Sequence, residues 1–177
     1  MSSIHRLALA LSLAAAPVAA FAATQGSLGP TSTGSLVITL AAPNLVRISA
    51  LDDINLGTFS GTALAGGDDV CIFSNTGGYN VTASGDGTGS AFELTGFSTG
   101  DAVPYNVQWA TTAGATSGTA LTAGTPLTGL GGSFTNPTCR GGAQLNARVL
   151  VDVTEAVLSE APADNYTGTL TLLVEPQ

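Results

Sequence analysis

The stretch "TSTGSLVITLAAPNLVRIS", Thr31 to Ser49, decides how the rest of the chain is read. A leader of small residues passes into an alternating run in which Leu36, Ile38 and Leu40 share one face of an extended strand. Pro43 then ends the run, because proline cannot donate to a strand ladder. A strand so placed has two destinations. Ser35 to Ala42 either opens the chain's own sheet or leaves its domain and completes a sheet elsewhere, and the residues alone keep both open. The choice decides whether the fold is closed or one strand short.

Upstream of this stretch, His5 and Arg6 precede the apolar run "LALALSLAAAPVAA", and Ala20-Phe21-Ala22 offers small residues at both positions read by a signal peptidase. Together they predict a secretory signal over residues 1–22, cleaved after Ala22. The run is short for a bilayer span and is interrupted by Pro17, which argues against a membrane anchor. The expected organisation is a signal at 1–22, an N-terminal extension carrying the alternating strand at 23–43, and one domain at 44–177. About 155 mature residues suffice for a single core.

The mature chain holds Arg47, Arg140 and Arg148 against 12 carboxylates, with neither His nor Lys, so its net charge is −9. That balance repels nucleic acid and anionic membrane surfaces, and neither is expected as a partner. No membrane insertion of the mature chain is expected. Two cysteines, Cys71 and Cys139, in an exported chain predict one structural disulfide. Two thiolates without any His make a poor tetrahedral metal set. Closing a loop of this length stabilises by roughly 4 kcal/mol on the chain-entropy account.

Alternation recurs wherever the sequence is not rich in Gly, Thr and Ser. "YNVTA" places Tyr79, Val81 and Ala83 on one face, and "VPYNVQWA" does the same for Val103, Tyr105, Val107 and Trp109. "QLNARVLVDV" aligns Leu145, Ala147, Val149, Val151 and Val153, and "NYTGTLTLLVE" aligns Tyr166, Leu170, Leu172 and Val174. Each has one oily and one wet face, as half-buried antiparallel strands do. The 23 glycines, roughly twice the average share, collect in turns such as "SNTGG" and "SGDGTGS". "TEAVLSEAP" allows a helix of one or two turns. Many short strands with Gly-rich turns predict an all-β sandwich.

The same composition removes most catalytic chemistry. Without His or Lys, neither a Ser-His-Asp nor a Cys-His nucleophile system can be assembled, and the common general bases near neutral pH are gone. Asp52/Asp53 and Asp68/Asp69 could pair as carboxylates or hold calcium, but neighbouring strand residues point to opposite faces, and solvated loop charge is the expectation. "GDGTG" at Gly85–Gly89 lacks the Lys and following helix of a phosphate loop and reads as a turn. The sequons at Asn80 and Asn165 arise readily by chance in Thr-rich strands. No enzyme, cofactor or metal is expected.

With the strands placed, the chain resembles the small pilin subunits of chaperone–usher systems, in particular the CS1/CFA-type (alternate) and archaic, spore-coat-protein-U-like fimbrial subunits. The resemblance is carried by "GSLVITLAAPNLVRIS" as leading strand, proline junction and first body strand, by "VPYNVQWA" as a central strand, and by Cys71 and Cys139. "APADNYTGTLTLLVEPQ" is similar to the terminal strand. The ending Glu175-Pro176-Gln177 departs from classical pilins, which carry a penultimate aromatic.

This resemblance implies an immunoglobulin-like β-sandwich that is incomplete and is completed by a donor strand from a neighbouring subunit. Leu36, Ile38 and Leu40 would then be the donor residues, and Tyr166, Leu170, Leu172 and Val174 would form the edge strand of the acceptor groove. It also implies identical or related pilin subunits, a periplasmic chaperone and an outer-membrane usher as partners. The setting would be a cell-surface fimbria, reached through the periplasm and serving adhesion or biofilm formation. The competing expectation is a secreted β-sandwich module that recognises glycan or a host surface as a monomer. That reading suffers because Trp109 and Tyr105 fall on the presumed core face.

Overall fold

The computed structural model describes residues 22–133 and 135–177, so the expected signal segment lies, except for Ala22, outside the described residues. The chain divides into one unit ending at Ala42 and a second spanning Pro43–Gln177.

Among the described residues, the second unit forms eleven strands and one short α-helix. In order, the first strands are β1 (Val46–Ser49), β2 (Leu64–Ser74), β3 (Gly78–Ser84), β4 (Glu93–Gly96), β5 (Ala102–Pro104) and β6 (Asn106–Ala110). There follow β7 (Thr119–Ala120), β8 (Leu127–Gly131), β9 (Ala147–Val153), the helix α1 (Glu155–Glu160), β10 (Tyr166–Thr167) and β11 (Thr171–Pro176). A five-stranded sheet has the order β1-β2-β9-β6-β7, and two three-stranded sheets have the orders β11-β3-β8 and β10-β4-β5. The paired strands run antiparallel throughout. The expectation of an all-β chain with antiparallel sheets is met.

The core forms where the alternating faces meet. Tyr79, Val81 and Ala83 of β3 are buried, as are Val107 and Trp109 of β6 and Ala147, Val149, Val151 and Val153 of β9. Trp109 Nε1 donates to the Tyr79 hydroxyl at 3.0 Å, with the two rings edge-on. The bond joins β6 of the five-stranded sheet to β3 of the next, so the core lies between those two sheets. A buried indole and a buried phenol need such a partner, and here each satisfies the other. Burial also raises the pKa of the Tyr79 hydroxyl, which stays neutral. Thr154 caps α1 by accepting from the Val157 amide, and Val157 and Leu158 pack on the core.

Two expectations need correction. Asp68 and Asp69 do not sit in a solvated loop: they continue β2, whose segment Leu64–Val70 pairs with β9. Glycine makes this possible. A Cβ on Gly66 would lie 2.7 Å from Ile54 Cγ2, and one on Gly67 would lie 2.8 Å from the Val149 carbonyl and 2.9 Å from Arg148 Nε. The bare backbone thus lets Ile54 cover one face and Arg148 cross the other to reach Asp69, whose carboxylate it meets at 2.9 Å. The Gly114 amide and then Arg148 hold the Asp69 carboxyl below its usual range.

The second correction concerns two segments read as single strands: "VPYNVQWA" divides between β5 and β6, which lie in different sheets, and the C-terminal segment divides likewise. Tyr166 pairs with Gly96 of β4, whereas Leu172 and Val174 pair with Ala83 and Val81 of β3. The change of sheet falls at Gly168, where a Cβ would lie 2.8 Å from the Glu93 carbonyl. There the Asp86 carboxylate accepts from the Thr169 amide and holds the crossover. A glycine break and a carboxylate cap redirect the chain between two strands that share one alternation.

Cys71 of β2 and Cys139 form a disulfide with Cα atoms 5.8 Å apart, and both are buried. Such bonds persist in oxidising compartments outside the cytoplasm. Among the described residues no helix is long and apolar enough to cross a membrane.

Candidate functional site

Two strands leave an edge open beside one another. Among the described residues β1 pairs only with β2, and β11 pairs only with β3, so each ends its sheet. They approach across the gap between the two sheets without forming a ladder. Burial changes sharply toward this seam. Ile48 of β1 is partly exposed although its ladder partner Ile72 is fully buried. Val174 and Leu172 of β11 are partly exposed beside fully buried Val81 and Ala83. Val46 and Leu170 are likewise half-buried against the core. Apolar side chains that face the core while only half covered, next to strand edges with free backbone donors and acceptors, make a surface able to accept a further strand. Parts of β1 and β11 lie within 8 Å of each other. A strand paired on both sides separates its neighbours by about 9.5 Å, so an incoming strand has to widen the seam slightly.

The N-terminal unit presents the opposite situation. Thr24 and Ser35 exchange two backbone hydrogen bonds in an isolated antiparallel bridge, at 2.8 and 3.0 Å. Beyond it, residues 36–42 form no strand, and none of the described backbone hydrogen bonds involves them. Leu36, Ile38 and Leu40 are 69%, 86% and 94% exposed. Among the described residues the alternating run therefore has no ladder partner, and its apolar face is exposed.

The chain between the two is held by a residue that sequence reasoning did not single out. Asn75, in the turn between β2 and β3, donates from Nδ2 to the Pro43 carbonyl at 2.9 Å and accepts at Oδ1 from the Leu45 amide at 2.7 Å. Its own amide donates to the Leu45 carbonyl at 3.0 Å. These bonds continue the β1–β2 ladder one step past the Val46–Ser74 pair. An asparagine directly after a strand was the available signal, but nothing local shows that it reaches some thirty residues back.

The remaining sequence candidates fall elsewhere. Tyr166 lies away from the seam, on β10, where its hydroxyl donates to the Pro162 carbonyl at 2.7 Å. Asp164 accepts from the Thr99 and Ser98 amides, both at 2.8 Å, and from the Asn165 amide. The Thr99 amide first, then those of Ser98 and Asn165, hold this carboxyl down to about 2. The hairpin so tied carries Phe97, exposed at its turn. Asp52, through its amide, donates to the Asp68 carboxylate, and among the described residues no three His, Cys, Asp or Glu side chains gather as metal ligands. Asn80 sits half-buried on β3 and Asn165 is exposed. Trp109 and Tyr105 are buried, so neither offers a ring to a ligand.

No family model matches this chain, and no curated protein matches it in sequence.

Proposed function

We propose that the chain is a structural subunit of a surface fimbria, an immunoglobulin-like sandwich one strand short whose seam receives residues 35–42 of a neighbouring copy. The supporting observation is the seam: half-covered apolar side chains of β1 and β11 beside two unpaired strand edges. In the same chain, Leu36, Ile38 and Leu40 form an exposed alternating face without a partner among the described residues. Docking would bury three aliphatic side chains, each worth roughly 1.5–3 kcal/mol, and would give the β11 edge a ladder. Part of that gain is lost to the cost of association. Before assembly a periplasmic chaperone would cover the seam, and an usher would exchange it for the next subunit, as in the systems the sequence resembles. The role needs no catalysis.

Ile38→Asp tests this reading through two yields, soluble subunit and fibre. A carboxylate at the centre of the donor face would have to be desolvated on docking, so fibres are expected to be lost while subunit yield is kept. Loss of the soluble subunit itself would mean that the strand belongs to its own domain.

A further inference from the structure

The bonds around Asn75 carry a consequence for how two copies are joined, one that rests on the fibre reading above. We infer that the Asn75 carboxamide is a positioning residue: it makes Pro43–Leu45 part of the rigid body and confines the bend between successive subunits to Ala41 and Ala42. The chemistry favours a carboxamide. Pro43 has no N–H, so its carbonyl is the backbone group by which it can be anchored, and that group needs a donor. The Leu45 amide, one residue beyond the β1 ladder, needs an acceptor. Asn supplies both from one planar group, Asp would supply only the acceptor, and Ala neither.

The turn that carries Asn75 is fixed without the help of that side chain. Ser74 Oγ donates to the Gly78 carbonyl at 2.7 Å, the Gly77 amide donates to the Ser74 carbonyl at 3.0 Å, and Gly77 takes a left-handed φ of 82° that suits glycine. Asn75 itself is exposed, so replacing it removes hydrogen bonds and leaves the core intact. With the clamp, two residues separate the last donor leucine, Leu40, from the fixed chain; without the carboxamide four do, because the Asn75 amide still holds the Leu45 carbonyl. For a flexible tether those lengths correspond to spans of roughly 8 and 11 Å. The clamp therefore acts as a stiffener between copies.

The test compares the full chain with Asn75→Ala and Asn75→Asp. In the unassembled protein, hydrogen exchange of the Leu45 amide is expected to quicken roughly tenfold in Asn75→Ala, as one hydrogen bond of ordinary worth is lost, and less in Asn75→Asp, which keeps the acceptor. The melting temperature of the body should not move. In fibres, the persistence length seen by electron microscopy is expected to fall at least twofold in Asn75→Ala, with Asn75→Asp softened as well. Unchanged Leu45 exchange in Asn75→Ala would overturn the clamp, and fibres as stiff as those of the parent would overturn its role between copies. A parent chain that forms no fibres would refute the fibre reading, while the exchange result would still decide for or against the clamp.

Discussion

Leu36-Val37-Ile38-Thr39-Leu40 and Tyr79-Asn80-Val81-Thr82-Ala83 each place apolar residues at alternate positions on one face, with Val37 the one apolar residue on the other, and they end in opposite surroundings. Val81 is completely buried, while Ile38 is 86% exposed. The difference lies in their neighbours. Segment 79–83 belongs to β3, flanked by β11 and β8 with its apolar face against the five-stranded sheet. Segment 36–40 has no ladder on either side among the described residues. Period-two alternation thus states that a face is to be buried, and it leaves open which chain does the burying.

Substitutions at the two ends of this comparison should separate widely. Trp109→Ala opens a cavity between the two main sheets and leaves the buried Tyr79 hydroxyl without its donor. It is expected to cost about 3–5 kcal/mol, read as a large fall in the melting temperature of the body. Ile38→Asp, by contrast, should leave that temperature within error, since exposed substitutions typically stay within about 0.5 kcal/mol. Equal losses from both would erase the distinction between buried and donated strands.

A smaller and local effect is expected at the hairpin held by Asp164. Its carboxyl titrates in the folded chain near 2, below the ordinary value of about 3.9 for an unfolded aspartate. The stability it contributes is present above the unfolded value and is lost as pH falls through about 2. The Ser98 and Thr99 amide resonances should therefore shift with a midpoint near 2, and in Asp164→Ala they should show no such titration. The seam and the extension carry no part of this contact, so neither should respond.

Much of the body was legible because its strands follow the simple rule. The buried faces over 79–83, 103–109 and 147–153 could be read directly from alternation, though not the break of 103–109 between β5 and β6, and the disulfide from two cysteines in a chain expected to be exported. What escaped was structure made by distant partners. "LAGGDD" has no apolar face of its own, and its Asp pair was expected in a solvated loop, yet it is half of β2 because Ile54, Leu56 and Arg148 fill the space its glycines leave. Tyr166 and Leu172 look like one strand because Gly168 does not interrupt the alternation, and only the position of Glu93 and Asp86 turns the chain there. Of the candidate site, the alternating face of Leu36, Ile38 and Leu40 was visible in the sequence. The seam is a property of two edges that no local pattern brings together, and the Asn75 contacts depend on a turn thirty residues away.

The central claim is that the seam beside β11 takes up a strand with the sequence of residues 35–42. The most direct measurement is hydrogen exchange across Thr171–Pro176 in the unassembled protein, with and without a synthetic peptide of Ser35–Ala42. Strand addition predicts that the β11 amides at the open edge slow by at least tenfold with the parent peptide and remain fast with the Ile38→Asp peptide. Exchange at β11 that the parent peptide leaves unchanged at millimolar concentration would contradict it.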